Sequence, residues 1–335
     1  MNKDNTMNAD YALLTPDFML DAIESTGIFP ASGLMALNSY ENRVYQFTAD
    51  DELRYVVKFY RPDRWTSEQI IEEHSFSIEI ANQEIPVIPP LGIEGRTLHE
   101  YKGFYFALFE CRGGRQFEVD NLDHLEWVGR FMGRIHKVGQ AKPFTKRLTL
   151  NSENFLFEPQ KFLLDYEEIP DYLRIPFDTA LNLIVNLTQK KLEEIGHCTQ
   201  QRLFGDCHPG NILWTDNGPH FVDLDDSVNG PAIQDLWMML SGDRAAQSLQ
   251  LEVLLEGYNE FCTFDTKELQ LIEPLRAMRM VNYMYWLAKR WDDPAFPHNF
   301  PWFNTPQYWE QQVLALKEQI AQLQEPPLTL PSFNF

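Results

Sequence analysis

The stretch from Gln201 to Asp226, QRLFGDCHPGNILWTDNGPHFVDLDD, sets Asp206, Asn211 and Asp223 five and then twelve residues apart. A carboxylate, an amide oxygen and a second carboxylate in that order suit phosphoryl transfer. The first carboxylate can orient an attacking hydroxyl and take its proton, while the amide oxygen and the second carboxylate are hard donors for a Mg²⁺ ion held against phosphates. Such a metal neutralises charge on oxygens that side chains alone stabilise poorly. GDCHPGN, with two glycines and a proline, reads as a loop, and HFVDL as a short strand after the turn DNGP that ends on Asp223. A hairpin of this kind can bring the three side chains to one mouth. Taken singly, Asp and Asn in such loops are commonly turn formers that bond their own backbone. It is the ordered trio, behind a two-lobe pattern, that points to chemistry.

The second half of such a site lies upstream. Lys58 sits inside the apolar strand YVVKFY, where an unpaired ammonium is costly to bury. A strand lysine followed by a helix bearing a glutamate suits an ion pair that aims the lysine at the α- and β-phosphates of a nucleotide. Glu73 is the expected partner, because Phe76 and Ile80 mark the adjacent buried face; Glu72 is its rival. The alternative is a lysine that simply points to solvent. LNSYENRVYQF falls where a nucleotide-covering turn would lie but has no glycine-rich repeat. Ser39, nearby backbone N–H groups or Arg43 would then cradle the phosphates, although Ser39 reads equally well as a turn hydroxyl.

These residues need a scaffold. Residues 1–15 read as a loose leader, and a helix follows Pro16 as far as Gly27. Two strands follow, with Val44, Tyr45 and Phe47 on one and Tyr55 to Tyr60 on the other, and then a helical run from Ser67. Prolines at 86, 89 and 90 break short strands ahead of a hairpin in EGRTLHEYKGFYFALFEC. Beyond Arg112 the chain turns mostly helical, over 122–139, 174–195, 232–241, 247–262, 267–290 and 306–323. The expected fold class is therefore α+β and bilobal. The leader and first helix span 1–33, a small antiparallel lobe with one long helix 34–111, a large helical lobe 112–325, and an irregular tail 326–335.

Composition narrows the function. The chain has 335 residues, 44% of them hydrophobic, enough for a substantial core. Its 28 basic against 49 acidic side chains give a net charge of −21, which repels nucleic acid and anionic membranes in the absence of a basic run. No apolar run approaches the roughly 20 residues of a membrane span, and the polar, acidic start is unlike a signal peptide. The scattered Cys111, Cys198, Cys207 and Cys262 read as reduced thiols of a cytoplasmic protein.

GDCHPGNILW, FVDLDD and NGPAIQDLW resemble the catalytic region of the aminoglycoside-phosphotransferase-like branch of the protein-kinase-like superfamily. LNSYENRVYQF, VVKFYRPDRW, EEHSF, EPLRAMRM and RWDDPAFPHNFPWF extend the resemblance over most of residues 34–305, and within the branch it runs toward a bacterial serine/threonine protein kinase. The resemblance implies a bilobal kinase fold, ATP and Mg²⁺ as cofactors, and a protein acceptor with Ser or Thr, autophosphorylation included, in a monomer. It implies Asp206 as proton acceptor, Asn211 and Asp223 as Mg²⁺ ligands, Lys58 with Glu73 as the phosphate-orienting pair, and Ser39 as an ATP contact. Asp235 matches a family aspartate that steadies the catalytic loop and His136 a family helix signature, and both are implied as structural. The branch usually carries His two residues before the catalytic Asp; here that residue is Phe204. A small-molecule alcohol kinase would use the same trio, and a nucleotide-binding pseudokinase is the third reading, disfavoured because Lys58, Asp206, Asn211 and Asp223 are all retained. Trp286, Trp291 and Trp302 would line an acceptor site or, as most such aromatics do, the core.

Eleven residues separate Asp223 from Asp235, too few for a long phosphorylatable activation segment. Activity is therefore expected to be independent of phosphorylation at Ser227. Transfer of labelled phosphate by a Ser227→Ala variant checks this, and a demonstrated need for phosphate on Ser227 would overturn it.

Overall fold

A computed structural model of the chain describes residues 11–330; the expected leader and tail fall partly outside them. From the N-terminal side come α1 (Pro16–Glu24), β1 (Met35–Ala36), β2 (Arg43–Thr48), β3 (Arg54–Phe59), α2 (Ser67–Ala81), β4 (His99–Tyr101), β5 (Phe104–Glu110) and β6 (Arg115–Gln116). Next are α3 (Leu122–Gly139), α4 (Glu158–Leu164), α5 (Asp171–Ile195), β7 (Gln201–Leu203), β8 (Ile212–Thr215), β9 (Gly218–Phe221) and β10 (Val228–Gly230). The chain closes with α6 (Gln234–Trp237), α7 (Arg244–Asn259), α8 (Ile272–Lys289), α9 (Ala295–Asn299) and α10 (Pro306–Gln322). Thr15, Thr66, Asn121, Asp243 and Thr305 start α1, α2, α3, α7 and α10, each side chain accepting a first-turn N–H.

Two compact units result. The first gathers Met1–Phe117, Phe144–Arg147 and Gly210–Ser227, and the second the remainder. In the first, five antiparallel strands take the order β1-β2-β3-β5-β4. Alternation along β3 sends Val57 and Phe59 to one face, where they pack with Met19 and Ile23 of α1 and with Phe106 and Leu108. Burying each such side chain is worth roughly 1.5–3 kcal/mol. Lys58, between them in sequence, is carried to the other face, the one where Ala107 meets Tyr60 and Ile70 of α2. A smaller sheet, β6-β8-β9, belongs to the same unit, and Phe221 N–H donates to the carbonyl of Pro86 at 2.8 Å.

The second unit is helical apart from the antiparallel ribbon β7-β10, which pairs Leu203 with Val228. Its α3 and α7 approach so closely that glycine is required. A Cβ at Gly129 would stand 2.1 Å from the Leu254 carbonyl oxygen, and one at Gly133 2.5 Å from that of Tyr258. This contact positions His136 on α3 beside Tyr258 on α7.

Three expectations shift. The helix foreseen over 232–241 shrinks to α6, because AIQDLWMML is buried on every side and its apolar pattern marks no face. The helix foreseen over 267–290 divides into a 3-10 turn, Thr266–Leu271, and α8, whose Pro274 sits in the first turn where its missing N–H costs nothing. Strand β9 stops at Phe221, two residues before Asp223.

The glycine contact yields a stability prediction. Gly129→Ala is expected to destabilise the protein by more than about 2 kcal/mol, since a backbone carbonyl cannot yield as a side chain can. Denaturant melts measure this; a cost below about 0.5 kcal/mol would show that α3 and α7 can part freely.

Candidate active site

In the first unit, Lys58 is buried with its Nζ 2.8 Å from Asp223 Oδ1 and 3.1 Å from Asp225 Oδ1. Burial alone would discharge the ammonium, but the two carboxylates outweigh it and hold its pKa well above the ordinary value. Asp225 is 3% exposed. Its Oδ2 accepts from Asn42 at 3.0 Å and from Arg64, which also reaches Asp226. Against the cost of burial, Lys58, Arg64 and Arg147 keep this carboxyl far below the carboxylate range.

Asp223 lies just past β9 in the left-handed region, φ +66°, a conformation Asp tolerates better than most residues. Val222 N–H donates to the Asn211 carbonyl at 3.0 Å, so the last pairing of the hairpin sets Asn211 beside the turn that presents Asp223. Asp223 Oδ1 faces Lys58, while Oδ2 has no partner among the described residues. The Asn211 amide and the half-exposed Asp223 carboxylate are hard oxygen donors of the kind taken by a divalent cation completed by phosphate and water.

Glu72 and Glu73 divide their work. Glu72 accepts the N–H groups of Thr145, Lys146 and Arg147 at 2.6–2.8 Å and the Thr145 hydroxyl at 3.0 Å. Despite partial burial these bonds hold its carboxyl below the ordinary value. They also place Arg147, which donates to the carbonyls of Ser227, at 2.9 Å, and of Asp225, and lies over Trp65. Glu73 is buried, and that burial raises its pKa to about 7 against the pull of Lys58. No hydrogen bond or ion pair joins Glu73 to Lys58 among the described residues; His74 Nε2 lies 3.7 Å from its carboxylate. Ser39 lies half-buried in the bend between β1 and β2, with no hydrogen bond to its hydroxyl among the described residues. Ser227 is fully buried and its hydroxyl donates to the Leu224 carbonyl at 2.7 Å.

Asp206 belongs to the second unit. One carboxylate oxygen is bonded by Arg279 of α8, and the other lies 3.5 Å from His208 Nε2. The start of its loop is pinned by the buried Asp235, which accepts from the N–H groups of Phe204 at 2.7 Å and Gly205 at 2.8 Å. Asp235 is held in turn by His136 Nε2 at 3.0 Å, and His136 Nδ1 meets the Tyr258 hydroxyl at 2.9 Å. Phe204, where the wider branch has histidine, is buried, and the loop is fixed through its backbone. Arg64, Arg147, Asp225 and Arg279 were all visible in RPDRW, KRLT, FVDLDD and EPLRAMRM, but spacing gives a lone arginine no partner.

A family model described as the phosphotransferase enzyme family matches residues 34–272. The chain belongs to that family. This phosphotransferase is 53% identical over 321 residues to stress response kinase A of Escherichia coli strain K12, covering 96% of this chain and 97% of that protein. It is 50% identical over 324 residues to the serine/threonine protein kinase RdoA of Salmonella typhimurium strain LT2, covering 96% and 97%. Its fold is that of a solved amicoumacin kinase bound to AMP-PNP and Ca²⁺, with TM-score 0.73 and 18% identity over 93% of this chain and 95% of that one. A spectinomycin phosphotransferase with ADP matches at TM-score 0.64 and 15% identity, over 92% and 99%. The enzyme is an ATP-dependent kinase of the bilobal, protein-kinase-like α+β fold.

Glu73 gives a pH signature. Its native pKa near 7 exceeds its ordinary 4.5, so between those values the unfolded chain ionises first and the native state loses stability as pH rises. Glu73→Gln is expected to escape that loss, gaining on the order of 2–3 kcal/mol over wild type across the window. Urea melts at several pH values test it, and parallel curves for the two proteins would refute it.

Proposed function

We propose that this kinase uses Mg²⁺ and transfers the γ-phosphoryl group of ATP to a serine or threonine hydroxyl of a protein, its own chain included. The observation that carries the reading is the 2.8 Å contact between Lys58 and Asp223. It sets a cation suited to the α- and β-phosphates beside a carboxylate suited to the metal that bridges them. The name of the 50% identical relative, a serine/threonine protein kinase, supports a protein acceptor.

In this reading Asp206 orients the acceptor hydroxyl and takes its proton as the oxygen bonds to the γ-phosphorus and ADP departs. Asn211 and Asp223 would hold Mg²⁺, which when bound neutralises charge on the phosphate oxygens. Lys58 orients the α- and β-phosphates, with Glu73 as the counter-charge within its electrostatic reach. Ser39 contacts the nucleotide from its bend. We assign nucleotide binding to 34–111 and catalysis with acceptor binding to 112–325. Four free cysteines, and no described helix long and apolar enough to cross a membrane, support a cytoplasmic setting. The acidic balance of the chain favours a second reading, a cationic hydroxylated amine as acceptor.

Labelled ATP separates the readings. Label on Ser or Thr of the enzyme or of an added protein supports the first, whereas turnover only with hydroxylated amines supports the second. Asp206→Ala is expected to cut kcat by at least about 100-fold with ATP binding nearly intact, because its role belongs to the transition state. Asp223→Ala should weaken Mg²⁺–ATP binding as well. Equal nucleotide affinity in both variants would reverse the assignment of roles.

A further inference from the structure

Helix α8 turns an unusual face to solvent. Beside Met280, Asn282 and Lys289, its exposed and half-exposed positions include Glu273, Arg276, Arg279, Tyr283 and Trp286, which run on to the C-cap Arg290 with the three- and four-residue spacing of a single helical stripe. Three arginines against one glutamate is a local positive excess in a chain whose net charge is −21. The arginines are not equivalent. Arg276 is held by Glu273 at 3.2 Å and lies over the Trp237 ring at 4.8 Å. Arg279 has one partner among the described residues, the carboxylate of Asp206. Further along, Tyr283 stacks on Trp286 with ring centroids 5.7 Å apart, and Trp286 is wedged edge-on against Phe296 at 5.0 Å. The aromatic part of the stripe is thus a rigid floor, with Tyr283 42% exposed.

We propose that this stripe of α8 receives the segment flanking the acceptor serine or threonine, and that Arg279 reads an aspartate or glutamate side chain carried by that segment. The proposal rests on the protein-kinase reading above. The guanidinium occupies Oδ1 of the carboxylate that takes the acceptor's proton in that reading, so a hydroxyl that arrives at this oxygen displaces it. Leaving Asp206 for water costs the arginine a charge-assisted hydrogen bond, whereas leaving it for a carboxylate on the incoming segment restores one. An acidic segment is therefore admitted at the lowest cost, and a basic one is repelled by the stripe. Tyr283 and Trp286 lie about 6 and 10 Å beyond Arg279 at 1.5 Å per residue. An extended peptide advancing roughly 3.3 Å per residue lays its second and third residues from the acceptor on that floor.

The test uses the full chain with Mg²⁺–ATP and three synthetic peptides that share one serine, flanked by aspartates, by alanines or by lysines. Wild type is expected to show the lowest KM for the aspartate peptide and the highest for the lysine peptide. In Arg279→Gln the KM ratio between the alanine and aspartate peptides should fall about tenfold, the loss of one charge-assisted bond. Arg279→Lys should keep part of that ratio, because it retains the charge without the fork. The ratio is internal to each protein, so partial unfolding of a variant does not alter it. An unchanged ratio in Arg279→Gln, or a wild-type preference for the lysine peptide, overturns the role of Arg279 and leaves the protein-kinase reading standing. Transfer to a hydroxylated amine with none to any peptide or protein overturns both.

Discussion

The buried carboxylate of Asp225 is the constraint on which the first unit of this molecule depends. At 3% exposure a lone carboxylate would cost several kcal/mol to desolvate. It is tolerated because Lys58, Arg64 and the amide of Asn42 bond its oxygens while Arg147 grips the backbone on either side of the next residue. These partners come from β3, the loop after it, the bend before β2 and the segment 144–147. The side chain of this one residue ties three stretches of chain together and its backbone a fourth, and with Asp223 it keeps Lys58 charged in a dry setting.

The second unit repeats the device with different parts. Asp235 is fully buried, its oxygens taken by two successive N–H groups and by a histidine that is itself held by a tyrosine. In both units a buried aspartate does the positioning, while the more exposed aspartates, Asp223 and Asp206, each meet a cation, Lys58 or Arg279. Burial and exposure are thereby assigned to separate carboxylates. Phe204 joins this arrangement through its backbone, its N–H held by Asp235 and its side chain buried.

Much of this was legible in the sequence. Apolar alternation placed β2 and β3, helical periodicity placed α2, α3 and α10, and the Asp206–Asn211–Asp223 spacing marked the loop and hairpin that carry them. Legibility ended where partners lie far apart in number. Glu72 and Glu73 are adjacent, and periodicity rightly put Glu73 on the buried face; that Glu72 would bind three N–H groups some seventy residues away has no local signature. The same holds for Arg64 with Asp225 and for Arg279 with Asp206. The shortened α6 failed for another reason: a segment buried all round gives a period-based reading no face to find.

The first unit is assembled from three separated stretches, the last of which closes only at Ser227. During synthesis, Lys58 and Arg64 leave the ribosome more than 150 residues before Asp225 does. Until then, the buried carboxylate that both of them meet in the finished unit is missing. The N-terminal sheet therefore cannot complete its folding as an early, independent nascent domain. It must wait for roughly two-thirds of the polypeptide, a delay that lengthens its exposure to chaperones and proteases.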